Sequence, residues 1–235
     1  MRHAQHVLVS LALVLVTACA ANTPRAITQV GTIDALLAGQ YDGVYSLESL
    51  AGSGTMGIGT FDHLNGEMVM LDGRMYQVLA TGEVVRPAMD STTPFAAICF
   101  FDPENALSAD GAGLDYDSLK HVVDGLVPSQ NAPLAIIVRG EFTHVHTRSV
   151  PAQTEPYPPL AEVTKNQPEF HAESIKGVLV GFRLPPFVKG INVTGYHLHF
   201  ISNDRQFGGH VLDFAMVSGQ VDALIQESLV LKLPV

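Results

Sequence analysis

The sequence predicts an α/β (α+β) fold that is rich in strands, has few helices and is divided into two sub-domains. The 21 glycines and 14 prolines indicate many turns. Beyond residue 170, short apolar runs follow each other with turn residues between them, which favours antiparallel pairing. Five prolines between residues 151 and 169 mark the clearest boundary in the chain. We therefore expect one part at residues 32–150 and an antiparallel part at residues 151–235.

Composition excludes several classes of protein. With 13 basic and 23 acidic residues among 235, the formal net charge is −10. This balance argues against binding of nucleic acid, which requires a basic surface. Apolar residues make up 47% of the chain and charged residues 15%, which is incompatible with intrinsic disorder.

The first 19 residues have the pattern of a secretory signal peptide. A short basic start is followed by an apolar run and then by Val16-Thr17-Ala18-Cys19. This ending is similar to a bacterial lipobox, in which the cysteine carries a lipid; the alternative is an ordinary signal peptide cleaved close by. We expect residues 20–31 to be a tether. The protein would be exported and lipid-anchored at the cell envelope, or otherwise periplasmic or secreted.

The N-terminal part begins with a short helix and a meander. Thr32 is expected to cap a helix over residues 33–38. The glycine-rich run at residues 51–60 lacks the ending of a phosphate loop, and we interpret it as tight turns. Strands are predicted over residues 60–64, 67–71 and 74–79, joined by two-residue turns at Asn65-Gly66 and Asp72-Gly73.

The remaining elements are one helix and several strands. Apolar residues recur at helical spacing over residues 114–126. Cys99 lies in an apolar run and is expected to be a buried, inert thiol rather than a nucleophile. The predicted strands that follow cover residues 133–150, 173–184, 191–202, 209–217 and 219–232.

The chemistry is concentrated in the segment GYHLHFISNDRQFGGHVLDF, residues 195–214. His197 and His199 are two residues apart, so a strand would place both imidazoles on one face. His210 follows a turn and a double glycine, and could face the same cavity across a hairpin. Three converging imidazoles are typical of a catalytic zinc site with open positions, although His-x-His on a strand is also common as surface decoration.

Other histidines form weaker patterns. His144 and His146 have the same spacing on a predicted strand but lack a third ligand nearby, so we interpret them as part of a polar strand face. His63, His121 and His171 are isolated in the sequence and are expected to lie on the surface or to be hydrogen-bonded.

Three blocks of sequence identify a family. The first is Gly59-Thr60-Phe61 with Leu64-Asn65-Gly66-Glu67 and Leu71-Asp72-Gly73; the second is Thr147-Arg148-Ser149-Val150-Pro151 with Pro156-Tyr157; the third runs from Glu173-Ser174-Ile175-Lys176-Gly177 through Gly181-Phe182 and Lys189-Gly190-Ile191-Asn192-Val193 to the histidine segment. In these blocks the sequence closely resembles the bacterial α-acetolactate decarboxylases. The resemblance extends from about residue 30 to about residue 234, and its C-terminal block is the most specific part.

The resemblance implies a fold, a cofactor and a site. The fold would have two α/β parts, with a mixed sheet in the N-terminal part and an antiparallel sheet in the C-terminal part, and the protein would be a homodimer. A zinc ion would be held by His197, His199 and His210. Glu67, Arg148 and Thr60 match the family's remaining site residues.

The reaction implied by the resemblance is the non-oxidative decarboxylation of 2-acetolactate to acetoin and CO2. Zinc would act as a Lewis acid on the charge left by the departing CO2. Arg148 would position the substrate carboxylate with its planar fork, and Glu67 would deliver or relay a proton. Without the resemblance, a surface ion pair would be the better interpretation of Arg148 and a solvent-facing position that of Glu67.

The chain departs from the family pattern at its C-terminal end. Family members carry a tail whose glutamate folds back to the site, whereas this sequence ends at Leu233-Pro234-Val235. Glu227 is the nearest acidic residue, but it falls inside a predicted strand and is not assigned that role. The alternative function is therefore an exported lipoprotein that binds zinc or a small acid and has lost turnover with the tail.

Overall fold

The computed structural model describes residues 24–233, so the predicted signal peptide, Cys19 and most of the tether before residue 24 lie outside the described residues. Within this range the chain forms fourteen strands and four α-helices. The strands are β1 (Ala26–Val30), β2 (Tyr45–Ser46), β3 (Met56–Thr60), β4 (Glu67–Leu71), β5 (Arg74–Val78), β6 (Val84–Val85), β7 (Thr92–Thr93), β8 (Ala96–Cys99), β9 (Leu107–Asp110), β10 (Leu134–Arg148), β11 (Glu169–Leu184), β12 (Gly195–Ser202), β13 (Gly208–Ile225) and β14 (Ser228–Lys232). The helices are α1 (Ile33–Leu37), α2 (Leu47–Ala51), α3 (Tyr116–Leu126) and α4 (Leu160–Val163). Short 3-10 helices span Asp62–Leu64, Pro103–Asn105, Thr164–Asn166 and Pro186–Val188.

Two main sheets confirm the predicted fold class. A seven-stranded sheet has the order β14-β1-β8-β3-β4-β5-β6; it is mixed, because β1 and β14 are parallel while its other pairs are antiparallel. The second sheet is antiparallel, with the order β10-β11-β12-β13-β9. β10 also pairs with β13, so β10 to β13 form a closed ring.

The sheets do not follow the predicted division at residues 151–169. β9 and β10 precede this stretch yet belong to the antiparallel sheet, while β14 follows it and joins the mixed sheet. Arg148 and Glu169, on either side of the stretch, are opposite partners in the β10–β11 ladder. Residues 149–168, which include the five prolines, are thus a long connection within one sheet, and their Val150 and Val163 pack into an apolar cluster with α1.

The first strand of the predicted meander lies earlier than expected. Residues 56–60 form β3 and residues 62–64 form a 3-10 helix, whereas we expected turns over residues 51–60 and a strand over residues 60–64. Glycine is needed inside this strand, because a Cβ on Gly57 would lie 2.5 Å from the carbonyl oxygen of Ala97, and one on Gly59 would lie 2.4 Å from that of Phe95. The glycine run therefore permits close strand contact rather than turns.

The two turns of the meander differ from each other. Thr60 pairs with Glu67, so Asn65-Gly66 closes a six-residue connection, residues 61–66, and not the expected two-residue hairpin. The Asp72-Gly73 turn is confirmed: Leu71 pairs with Arg74, and both turn residues have positive φ, 50° and 74°. This backbone conformation is the one that a two-residue hairpin requires.

The remaining element predictions are largely confirmed. Thr32 caps α1, and Asp115 caps α3 with a capping box to Ser118. The strands predicted at residues 209–217 and 219–232 divide elsewhere: β13 runs without a break through residue 218 to Ile225, because β10 pairs with it along most of its length. No helix within residues 24–233 is long and apolar enough to cross a membrane.

One large part of the core lies between the two sheets. Ile58 and Val69 of the mixed sheet share one buried cluster with Ile137, Val180 and Phe182 of the antiparallel sheet. On its other face the mixed sheet is covered by Leu47 and Leu50 of α2. Leu119 and Val123 of α3 cover the antiparallel sheet. This packing brings the ends of β3 and β4 against β10, β12 and β13, where the candidate site lies.

Candidate metal centre and active site

Three histidines converge on neighbouring strands. His197 and His199 project from the same face of β12, and Leu198 and Phe200 project into the apolar core, as the alternation of a strand requires. His210 is the direct partner of His199 across β12–β13. The ring centroids are 5.1 Å apart for 197–199, 4.9 Å for 197–210 and 5.3 Å for 199–210.

The nitrogen atoms of this cluster fit a metal ion. One ring nitrogen from each histidine lies within 4.8 Å of the other two. His197 Nδ1, His199 Nε2 and His210 Nδ1 are buried and have no hydrogen-bond partner. A buried polar atom without a partner is costly, and an ion held between three such atoms would satisfy them all. The donor set therefore suits a metal with three protein ligands.

A backbone carbonyl orients the most deeply buried ring. His199 is 1% exposed, and its Nδ1 donates a hydrogen bond of 2.8 Å to the carbonyl oxygen of Met68 on β4. This bond leaves Nε2 of His199 as the free nitrogen. This hydrogen bond could not be predicted from the sequence, because the acceptor is a backbone carbonyl, which every residue has.

The three imidazoles are neutral in this environment. Burial and, to a smaller extent, the nearby Arg148 charge together lower the pKa of His197 to about 3. Burial also lowers the pKa of His199 and of His210 well below the usual histidine value. A neutral imidazole has the free lone pair that a metal requires, so the cluster needs no deprotonation before binding.

A buried ion pair stands beside the histidines. Glu67 begins β4 and Arg148 ends β10; Arg148 Nη1 lies 3.4 Å from Glu67 Oε1. Glu67 Oε2 lies 3.4 Å from His199 Nε2, so the carboxylate bridges the arginine and the cluster. Burial raises the pKa of Glu67 to about 7, and the Arg148 charge opposes this rise.

Strand register explains how Arg148 reaches the cluster. Arg148 is the direct partner of His210 across β10–β13, and His210 is that of His199 across β12–β13. The three side chains therefore form one row across three strands. A surface ion pair, the alternative for Arg148, does not describe a side chain that is 17% exposed and lines a cavity.

Thr60 and Glu67 are held together by their own ladder. They are direct partners in β3–β4, and the Thr60 hydroxyl donates a hydrogen bond of 2.7 Å to the carbonyl oxygen of Gly66. Thr60 thereby anchors the residue immediately before Glu67. Glu67 is 6% exposed and does not face solvent, which was its alternative interpretation.

All six predicted site residues except His199 line one cavity of about 460 Å³. Its walls are largely apolar and come from α1, from Leu64, Phe95 and Val150, and from the segment of residues 189–194. Lys189 and Asn192 also line it. The sequence analysis did not predict them as site residues, although both lie in a block that carries the family resemblance.

Glu227 lies elsewhere. It falls between β13 and β14 rather than inside a strand, and its carboxylate is 3.6 Å from Arg25. It is exposed and is not among the residues that line the cavity.

The other histidines divide into two groups. His63 contacts Tyr157 and Asp62. His121 Nδ1 lies 2.8 Å from the carbonyl oxygen of Asp117. His63 and His121 are both exposed, as expected. His146 and His171 are not independent, because they are direct partners across β10–β11. The sequence places no third ligand near the pair His144 and His146; in the structure Glu169 and His171 of β11 lie beside His146.

The chain is similar to known proteins of one family. The family described as alpha-acetolactate decarboxylase matches residues 27–235. A protein of that name from Methanosarcina mazei is 43% identical over 213 residues, which cover 91% of this chain and 74% of that protein. Its counterpart from Methylococcus capsulatus is 42% identical over 206 residues, 88% of this chain and 79% of that protein. The crystal structure of alpha-acetolactate decarboxylase from Bacillus subtilis strain 168 is similar with a TM-score of 0.86 at 35% identity, covering 89% of each chain.

Proposed function

The chain belongs to the alpha-acetolactate decarboxylase family, and from this premise we propose that it is a zinc-dependent carboxy-lyase that converts 2-acetolactate to acetoin and CO2. The observation that carries the proposal is the convergence of three buried, partnerless imidazole nitrogens next to the Glu67–Arg148 pair, at a cavity that His197, His210 and this pair line. The family relationship supplies the substrate, and the cavity supplies groups that suit it.

His197, His199 and His210 would hold the zinc ion. When bound, the ion supplies Lewis-acid stabilisation for the negative charge that loss of CO2 leaves next to the substrate ketone. The ketone is itself the electron sink, so no organic cofactor is required. Met68 contributes through its carbonyl oxygen, which fixes the ring of His199.

Arg148 would bind the substrate carboxylate. Its planar guanidinium can donate two parallel hydrogen bonds to a carboxylate, and its position in the same strand row as His210 places it beside the histidine cluster. Tight binding of the carboxylate opposes its departure as neutral CO2. Arg148 therefore orients the group that leaves and does not drive the cleavage.

Glu67 would supply the proton that replaces CO2. Burial raises the pKa of Glu67 to about 7 when no ion is bound, and the charge of a zinc ion on the histidines would oppose this rise. A carboxyl group at this position can hold a proton and release it. The Thr60–Gly66 hydrogen bond fixes the start of β4 and hence the direction of this carboxyl. Delivery from one side of the cavity would give acetoin of a single configuration.

The apolar walls would protect the reaction from bulk water. Leu64, Phe95 and Val150 line the cavity next to the polar groups. A dry surrounding strengthens the interaction between Arg148 and the substrate carboxylate, because the effective dielectric constant is lower there.

Acetoin formation from racemic 2-acetolactate tests the proposal. The full-length chain is purified in detergent and assayed as isolated, after removal of metal by a chelator, and after return of zinc, with metal content measured on each sample. We expect acetoin only in the samples that contain metal. A matched pair of variants, His199→Ala and the exposed-site control His121→Ala, separates loss of the centre from a general effect of losing a histidine.

Two outcomes would contradict the proposed function, each in a different way. Turnover that persists in a metal-free His199→Ala protein would overturn the zinc mechanism. Stoichiometric zinc without any acetoin would favour the alternative function, an exported protein that binds zinc or a small acid.

Location and assembly complete the proposal. We propose export with a lipid on Cys19, supported by the pattern of residues 1–19, and a homodimer, supported by the family resemblance. Incorporation of labelled fatty acid into the wild-type chain but not into Cys19→Ser tests the first. Sedimentation of the purified protein tests the second.

A further inference from the structure

We propose that the protein has a second metal site, separate from the histidine centre, at the partly exposed ends of β10 and β11; we call it the outer site. Its ligands are His146, His171 and Glu169, and its ion is a divalent transition metal. The site does not depend on the proposed decarboxylase activity.

The strand ladder places the three side chains on one face. His146 and His171 are direct partners across β10–β11. Glu169 is two residues before His171 on the same strand, so its side chain projects to the same side. Side chains directly opposite each other in an antiparallel pair have Cβ atoms about 5 Å apart, which is within reach of one ion for two imidazoles.

The contacts bring the donor atoms together without an ion. One ligand atom from each of the three residues lies within 4.8 Å of the other two. The two imidazole rings are stacked, with centroids 4.0 Å apart and planes at 18°. Nε2 of His146 lies 2.8 Å from Oε2 of Glu169. Little ordering of side chains is therefore left for metal binding to bring about, and this favours affinity.

The donor chemistry selects a class of ion. Two imidazoles and one carboxylate suit Zn²⁺, Cu²⁺ and Ni²⁺, whereas Mg²⁺ and Ca²⁺ prefer oxygen ligands throughout. The side chains of His146 and Glu169 are 23% and 46% exposed, so water can complete the coordination. The net charge of −10 further favours a cation at the surface.

The two metal sites can be filled independently. The three ligands of the outer site are not among the residues that line the cavity. Arg148 is the direct partner of Glu169 across β10–β11, but its guanidinium lies 3.4 Å from Glu67 and forms its ion pair there. An ion in the outer site would consequently leave the three ligands of the histidine centre free.

Zinc titration of the full-length, metal-free chain against a competing fluorescent zinc chelator tests the inference. We expect the His171→Gln variant to lose one equivalent of bound zinc relative to wild type, and Glu169→Gln to bind that equivalent at least tenfold more weakly. The matched control is His121→Gln, an exposed histidine on α3 that hydrogen-bonds only to its own helix; it should bind as much zinc as wild type. Diffraction at the zinc absorption edge should show an ion between β10 and β11.

The result that overturns the inference is unchanged stoichiometry in His171→Gln, or an equal loss in His121→Gln. Acetoin formation distinguishes this failure from failure of the proposed function. His171→Gln should keep wild-type acetoin formation, since it leaves the histidine centre intact. Absence of acetoin from the wild-type protein would bear on the proposed function and not on the outer site.

Discussion

Nδ1 of His199 lies 2.8 Å from the backbone carbonyl oxygen of Met68, 131 positions earlier in the chain and in the other sheet. A carbonyl oxygen only accepts hydrogen bonds, so Nδ1 carries the proton and Nε2 keeps its lone pair. The mixed sheet thus sets the tautomer of a ring that belongs to the antiparallel sheet. The candidate centre exists only where the two sheets pack together.

Replacement of His199 by alanine should remove the metal ion of the histidine centre and the activity together. The variant loses the nitrogen oriented by Met68, so we expect metal affinity to fall by at least about 100-fold, more than loss of an outer hydrogen bond to a ligand costs. Acetoin formation should fall by at least about 100-fold as well. Metal content by mass spectrometry and turnover are measured on the same preparation, with His121→Ala as the control. A variant that binds as many equivalents of metal as wild type while losing activity would show that His199 is not a ligand.

Replacement of Glu67 by glutamine should lower kcat without loss of metal. The amide keeps the shape of the side chain and its contact with Arg148, but it cannot donate and regain a proton. Removal of a general acid typically costs about 10²–10⁴ in rate. Steady-state kinetics and metal content are compared with wild type. A matching loss of metal would instead make Glu67 a ligand.

Replacement of Arg148 by lysine should raise KM by about tenfold with a smaller change in kcat. Lysine keeps the positive charge but lacks the planar fork that binds a carboxylate at two points. The control is Arg139→Lys, at the exposed part of the same strand β10, whose nearest carboxylate is Asp72 at 3.5 Å. Equal kinetic effects of the two substitutions would argue against carboxylate binding by Arg148.

Replacement of Gly59 by alanine should destabilise the protein. Its Cβ would lie 2.4 Å from the carbonyl oxygen of Phe95, and this contact is with main chain that cannot rotate away. Overpacking of this kind costs about 1–3 kcal/mol. Gly125 lies in the last turn of α3, and a Cβ added to it would have no atom within 4 Å. Gly125→Ala should therefore leave the stability of the protein unchanged or raise it by up to about 1 kcal/mol. Urea denaturation of wild type, Gly59→Ala and Gly125→Ala measures the free energy of unfolding of each. A Gly59→Ala protein as stable as wild type would mean that β3 and β8 can move apart.

Cys99 should be unreactive until the protein unfolds. Its side chain is fully buried in β8, and burial raises its pKa, so the reactive thiolate is scarce. In a Cys19→Ser chain Cys99 is the single thiol. An aromatic disulfide reagent should label it in denaturant and leave it unlabelled in buffer for hours. Rapid labelling of the native protein would contradict the burial of β8.

Local sequence patterns predicted much of the secondary structure. The Asp72-Gly73 hairpin, the α1 helix after Thr32 and the α3 helix all follow from residues within a few positions of each other. The exceptions are informative. The glycine run at residues 51–60 was interpreted as turns, because sequence alone does not distinguish a glycine needed for positive φ from one needed for close contact with another strand.

The candidate site was predictable to a different degree for each residue. The alternation of side chains along a strand is enough to place His197 and His199 together, and a short turn brings His210 near. The pairing of His146 with His171 was missed, because the register between β10 and β11 depends on a long connection of 20 residues, 149–168.

Residue patterns alone were enough to predict most of the elements, the histidine pair on one strand and, through the resemblance, the family. The packing of the two sheets places Glu67 of the mixed sheet 3.4 Å from both Arg148 and His199, and brings the carbonyl oxygen of Met68 to the ring of His199. Neither contact could be predicted from the sequence. The physical reason is the range of the interactions. Local spacing sets backbone conformation, whereas contact between two sheets depends on which apolar faces are buried together, and that is a property of the whole folded chain.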